Sequence, residues 1–534
     1  MNLHPPWEST NAGSVEWFST RSREARVIPD TDTITGYGPV RGTDDGIVRQ
    51  WLGIRYAAPP VGELRWRAPQ PPQRWTEPAD ATRFGPVCPQ QTDPHIPLDL
   101  GAPQGGDCLT LNVWAPSTSG GPKPVMVWVH GGAYALGSSA QPLYRGRELA
   151  AGGDVVVVTM NYRLGALGFL DLSSFGSGFE TNIGVRDVLS ALNWVQANIA
   201  AFGGDPDNVT LFGESAGAGI LTTLMASPAA AGLFHRAIAQ SAPVTSVYDR
   251  DRARRIAEQF LDRIGVHPGE THRLREAPIE SIIAASKHLY NEVPRRFPGT
   301  LAFVPIVDGD LVPDYPVRAA RAGRTHPVPL IIGTNRHEAA LFRWMRSPLM
   351  PIAPHTLRDM FAAIASEQPG LQIPTEAEIT AVYRGRGRKP ALGVARDVGF
   401  RMPSIWFAEG HSAVAPVYMY RFDWATPVLK LLRLDAAHAT ELPYVWGNLV
   451  MGPKDPTFKL GGLAAGTAVS ERMRARWTRF AAGADPSAGP GAPVWPAYRP
   501  DERATLIIGR EDEVVADPDR EQRLTWGAEV LSFR

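Results

Sequence analysis

The sequence predicts an α/β fold, a mostly parallel central sheet flanked by helices, and three observations predict it. Short apolar runs of strand length recur along the chain, stretches with helical periodicity fall between them, and one strand ends in a glycine-flanked serine turn that opens a helix. Taken in order, PVMVWVH at 124–130 is a strand entering a glycine turn, and DVVVVTMNYR at 154–163 is a second, buried strand. Between Gly184 and Ala201 the pattern VRDVLSALNWVQANIA places Val185, Val188, Leu192 and Val195 on one helical face. NVTLFGESAG at 208–217 reads as strand, sharp turn and helix start. AIAQS at 237–241, VPLIIG at 328–333, VYMYRF at 417–422 and TLIIG at 505–509 complete the core strands.

Two regions interrupt this alternation. Residues from about 250 to 325 and from about 340 to 415 are rich in Arg, Ala and Pro and carry amphipathic stretches such as RARRIAEQFLDRIG at 252–265. In sheets of this type such helical insertions sit over the C-terminal strand ends, where ligands bind. Residues 1–30 read as a loosely attached N-terminal extension, and 31–534 as one catalytic body carrying the insertions. GADPSAGPGAP at 483–493 is a loop by composition. No internal repeat is present.

Composition excludes several classes. Lys plus Arg and Asp plus Glu both total 54, so the formal net charge is zero, and no positive surplus points to nucleic acid or an anionic membrane as a partner. The first thirty residues hold no apolar core of a signal peptide, and no apolar run is long enough to span a bilayer, so a cytoplasmic location is expected. Cys88 and Cys108 are the only two cysteines. They could close a loop as a disulfide, whereas in a reducing cytosol they would stay thiols. Two cysteines with no His-rich cluster beside them cannot build a thiolate zinc site, and no metal is expected.

The chemistry concentrates at Gly213-Glu214-Ser215-Ala216-Gly217. A serine on a strained strand-to-helix turn is held with its hydroxyl exposed, and small flanking residues permit the turn. Upstream, His130-Gly131-Gly132-Ala133-Tyr134 also follows an apolar strand. Such a turn points backbone N–H groups at the place where an ester oxygen becomes negative, so Gly132, Ala133 and Ala216 are candidate oxyanion donors. A serine hydroxyl needs a base and an orienting acid, expected in the order Ser, Asp or Glu, His. Glu338, after the strand VPLIIG, and His438, in DAAHATELPYVWG, fit that order. On spacing alone His337 and Glu441 remain alternatives.

The landmarks decide between them by resemblance. GIRYAAPPVGELRWRAP at 53–69, GDCLTLNVWAP at 106–116, VHGGAY at 129–134, NYRLGALGFL at 161–170, NIAAFGGDPDNVTLFGESAG at 198–217, AIAQSA at 237–242, GTNRHEAALF at 333–342 and HATELPYVWG at 438–447 follow one another in order. From about residue 33 to about 510 the chain resembles the type B carboxylesterase/cholinesterase family, in character its bacterial carboxylesterases. The resemblance implies an α/β-hydrolase fold, a triad of Ser215, Glu338 and His438, and an oxyanion hole of Gly132, Ala133 and Ala216. It also gives Gly131, Glu214, Ser241 and Glu441 supporting positions, and implies a small-molecule ester as substrate with no cofactor. Cholinesterases carry a tryptophan between the two cysteines that stacks on the quaternary ammonium. Here PQQTDPHIPLDLGAPQGGD at 89–107 contains no aromatic residue, so choline esters are not the expected substrate. The reading is a serine carboxylesterase. An amidase or carbamate hydrolase with the same triad is the alternative within chemistry, and a catalytically silent binding module the alternative outside it. The sequence carries no signal for oligomeric state.

Overall fold

The computed structural model describes residues 30–534 except 93–97, 119, 385–389, 453, 488, 490 and 491. The expected extension at 1–30 thus lies outside the described residues but for Asp30, as do parts of the loops at 89–107 and 483–493. Thirteen strands form one sheet among the described residues. They are β1 Asp30–Ile34, β2 Pro39–Asp44, β3 Val48–Arg55, β4 Ala79–Asp80, β5 Thr110–Pro116, β6 Lys123–Val129, β7 Val156–Met160, β8 Gly204–Glu214, β9 Arg236–Gln240, β10 Leu330–Asn335, β11 Val417–Phe422, β12 Ala504–Ile508 and β13 Glu513–Ala516. Their order is β1-β2-β3-β5-β7-β6-β8-β9-β10-β11-β12-β13, with β4 beside β2.

Every neighbouring pair from β7 through β12 is parallel. Antiparallel strands extend both margins, β1, β2, β3 and β5 on one side and β13 on the other. All seven core strands expected from the sequence are present, within a few residues of their expected ends. The helix expected after Gly184 runs Ile183–Asn198, and Val185, Val188, Leu192 and Val195 are all fully buried.

Both faces of the sheet are covered, which is why its strands read as unbroken apolar runs. Alternate residues part to opposite sides. Val125, Val127, Val129 and Leu211 pack toward the helices Ile183–Asn198 and Ala216–Met225. Met126, Trp128 and Phe212 pack toward Met473 and Trp477 of the helix Leu463–Ala481.

Register then places the chemistry. Val129 is level with Gly213, Glu214 with Gln240, and Gln240 with Gly333, so β6, β8, β9 and β10 end side by side. The residues just beyond those ends are His130–Tyr134, Ser215, Ser241 and the turn to Glu338. Sequence-distant groups therefore meet at one sheet edge.

Cys88 and Cys108 are joined as a disulfide with Cα atoms 4.9 Å apart. In the chain-entropy account, closing a loop of this length contributes about 3 kcal/mol. No helix among the described residues is long and apolar enough to cross a membrane. Among the described residues no group of three His, Cys, Asp or Glu is placed to hold a metal ion.

Candidate active site

Ser215 joins β8 to the helix Ala216–Met225 with φ 53° and ψ −124°, a sparsely populated conformation for a residue with a Cβ. The surrounding structure holds it there. Ser215 N donates to Gln240 O at 2.9 Å, and Ser215 O accepts from Gly219 N at 2.9 Å. The turn also presses the helix onto β6, so a Cβ on Gly217 would lie 2.0 Å from Val129 O. Only glycine fits there. The serine hydroxyl has no hydrogen-bond partner among the described residues, and Ser215 lines a cavity of ≈ 350 Å³.

His438 stands on the same cavity wall, on the loop that follows β11. Its Nδ1 lies 2.6 Å from Glu338 Oε2. Glu338 is fully buried, and its Oε1 accepts from Ser241 Oγ and from Asn335 N, both at 2.6 Å. Such a carboxylate fixes the ring's tautomer as Nδ1–H and leaves Nε2 for chemistry. The rings of Phe400 and Phe342, with centroids 4.6 Å and 5.2 Å from the imidazole, hold it from the cavity side. His438 Nε2 lies 3.1 Å from Glu214 Oε1, and no hydrogen bond joins it to Ser215 Oγ.

Charge is crowded here. Burial pushes the Glu214 carboxyl up to about 8, against the pull of His438, and burial likewise raises Glu441. Burial opposes the His438 cation, but the nearby Glu214 and Glu338 carboxylates outweigh it and hold the imidazolium above the usual histidine range.

The turn after β6 carries the remaining polar groups. Gly132 has φ +119°, and a Cβ on it would meet Leu136 O at 2.1 Å. Ala133 and Tyr134 follow with φ 51° and 58°. This left-handed run leaves the N–H groups of Gly132 and Ala133, like that of Ala216, without partners among the described residues. All three residues line the Ser215 cavity, as do Gly131 and Glu214. Tyr134 also lines the cavity, with its ring buried against Phe169 at 5.1 Å.

The two stretches rich in helices contribute a large part of the cavity wall. Tyr290 and Leu301 belong to the first, and Phe342, Met345, Met350, Met360 and Phe400 to the second. Leu531 and Phe533 complete it, and among the described residues no Lys, Arg or Asp lines it.

The alternatives left open by spacing part here. Glu441 is fully buried away from His438, its Oε1 accepting from Gln240 Nε2 at 3.0 Å and its Oε2 from Asn335 Nδ2. His337 lines a different crevice, beside Tyr383 and Gln522. Ser241 and Glu441 stand behind the cavity rather than on it. Four contributors escaped the sequence reading: Asn335, which touches both glutamates, Gln240, and the two phenylalanines on His438. Asn335 lies in the segment GTNRHEAALF and Gln240 in AIAQS, so position at a strand end was the available signal.

The chain matches the carboxylesterase family over residues 30–526. It is 39% identical to the para-nitrobenzyl esterase of Bacillus subtilis (strain 168) over 92% of this chain and 97% of that one. It is 35% identical to the phenmedipham hydrolase of Pseudarthrobacter oxydans, over 89% and 94% of the two chains. Among solved structures, a PNB esterase superposes with a TM-score of 0.80 at 37% identity, covering 93% of this chain and all of that one. A Geobacillus stearothermophilus carboxylesterase superposes with a TM-score of 0.79 at 35% identity, over 93% and 100% of the chains. With the esterase-like site on an α/β-hydrolase sheet, these likenesses establish that the chain belongs to the carboxylesterase family and is a carboxylic ester hydrolase.

Proposed function

We propose that Ser215, His438 and Glu338 form the catalytic triad, and that the enzyme hydrolyses small neutral esters through an acyl-enzyme. One observation carries the reading: the 2.6 Å Glu338–His438 pair closes on the cavity wall that bares the Ser215 hydroxyl. Ser215 Oγ attacks the ester carbonyl while His438 Nε2 takes its proton, and the carbonyl π pair becomes an oxyanion held by the N–H groups of Gly132, Ala133 and Ala216. As the oxyanion collapses, the alkoxy group leaves with the His438 proton. Water, deprotonated by the same nitrogen, attacks the acyl-enzyme, and the acid departs with Ser215 restored. Glu338 holds the ring in its productive tautomer and stabilises the imidazolium. For the first step Nε2 must turn from Glu214 to Ser215, a tightening that substrate binding brings about in many such sites.

The stretches 250–325 and 340–415 serve in this reading as insertions on a single catalytic domain, walling the substrate. The balanced charge gives no reason to bring nucleic acid into it. A carbamate hydrolase with the same groups is the second reading, favoured by the similarity to a phenmedipham hydrolase. Ser215→Ala tests the nucleophile in either case. Hydrolysis of p-nitrophenyl acetate should fall on the order of 10⁴-fold or more with thermal unfolding little changed. Substantial turnover by the folded variant would remove Ser215 from the mechanism.

A further inference from the structure

Behind the groups that face the ester, a buried side chain grips the turn after β6. Gln90 is 6% exposed, and its carboxamide spans both backbone groups of Gly137. Nε2 donates to Gly137 O at 2.8 Å, and Oε1 accepts from Gly137 N at 2.8 Å. Gly137 closes the turn that begins at His130. It packs so tightly beneath it that a Cβ there would lie 2.5 Å from His130 Nδ1 and 2.7 Å from Gly131 O. Within the turn, His130 Nδ1 lies 2.8 Å from Gly131 O, and Gly132 O accepts from the amides of Ala135 at 3.1 Å and Leu136 at 2.9 Å. Displacing Gly137 therefore displaces the peptide units that carry the Gly132 and Ala133 N–H groups. Gln90 is itself anchored. Its N donates to Gln104 Oε1 at 2.8 Å, its Nε2 also reaches Cys88 O at 3.1 Å, and Cys88 is bonded to Cys108.

We propose that Gln90 is a positioning residue for the oxyanion donors, and that the loop closed by Cys88 and Cys108 serves the reaction through it. The proposal rests on the reading of Ser215 as nucleophile with Gly132, Ala133 and Ala216 as donors. Ala133 and Tyr134 hold left-handed conformations that persist only where the surroundings over-determine them. Donors to an oxyanion act in the transition state more than in the ground state, so slack in this turn lowers kcat rather than raising KM.

Gln90→Leu removes both bonds to Gly137 and tests this directly. Four quantities are compared with the parent enzyme: kcat and KM for p-nitrophenyl acetate, active sites counted by fluorophosphonate titration to completion, and affinity for an aryl trifluoromethyl ketone. With the ketone, Ser215 Oγ forms a C–O bond, the carbonyl π pair becomes an oxyanion, the hydroxyl proton passes to His438, and no group leaves. The expected result is a fall of roughly 10- to 100-fold in kcat per titrated site. KM should change far less, and ketone affinity should fall by the same factor as kcat. Gln90→Met, whose unbranched side chain adapts to the space, is the second variant and is read in the same way should the leucine variant fail to fold. Unchanged kcat per site, with only fewer sites or a lower Tm, would mean a merely structural glutamine and overturn the proposal. A rise in KM with kcat intact would do the same. Ser215→Ala keeps the two ideas apart. Activity in that variant sinks the reading of the site, whereas an inactive Ser215→Ala beside fully active Gln90 variants sinks the positioning role alone.

Discussion

By spacing Glu441 remains an alternative to Glu338 as the acid, and their hydrogen bonds separate them. Glu338 touches His438 Nδ1, while Glu441 is taken up by Gln240 and Asn335. Glu338→Gln should therefore lower turnover by about 10³- to 10⁴-fold, since the amide no longer enforces the Nδ1–H tautomer. Glu441→Gln should cost far less, and steady-state kinetics of the two variants would show the order. A larger loss at Glu441 would reassign the acid. The pH profile is a second residue-scale consequence. Attack needs neutral His438, so kcat/KM rises with pH as the imidazolium loses its proton. The nearby carboxylates hold that cation above its ordinary range, which places the midpoint above ~6.5. Glu214 and His438, 3.1 Å apart, titrate as a unit. Glu214→Gln removes one charge that favours the cation, so the midpoint should move toward acid, and an alkaline shift would contradict this electrostatic account. None of this coupling was legible in the sequence, because Glu214, at the end of β8, and His438, beyond β11, lie far apart in the chain and meet only in the folded structure.

At the scale of elements, the proposed mechanism makes the turn from His130 to Gly137 the part that sets how crowded an alcohol the site admits. In the proposed mechanism Gly132 and Ala133 offer two neighbouring donors, and neither carries a side chain larger than a methyl group. Hydrolysis of tert-butyl acetate should accordingly be measurable, though slower than that of ethyl acetate. Ala133→Val should depress the tertiary ester more than the primary one. Good ethyl acetate turnover with no tert-butyl hydrolysis by the parent enzyme would show that the clearance is closed elsewhere. The strands that carry this turn and the serine were readable because each is buried on both faces, as VMVWV and VTLF show. β3, VRQWLGIR, was not, since an exposed or half-buried Arg and Gln interrupt it and it belongs to the antiparallel margin. β5 hid for a different reason. It is fully buried, yet its Asn112 is a polar residue satisfied by Ser139 and Thr159.

Across the whole molecule, the sheet supplies the reacting groups and the intervening helices supply the walls. The first part was legible, since a strand end followed by glycine, serine or glutamate has a known chemical use. The second was not, because which faces of the helices at 250–325 and 340–415 meet is settled by packing between residues dozens of positions apart. Phe342 and Phe400 illustrate it. Nothing in either local sequence says that both rings will lie on one imidazole, yet the packing of the second stretch delivers them there. Among its described residues the disulfide loop likewise reaches the site through Gln90 and Leu98, the latter on the cavity wall. All these scales converge on one atom, Ser215 Oγ, which a fluorophosphonate probe interrogates in the intact enzyme. Peptide mapping by mass spectrometry after labelling should find one adduct per chain, on Ser215, rising in step with the loss of ester hydrolysis. A fully labelled enzyme that still hydrolyses esters, or inactivation with the label on another residue, would contradict the account.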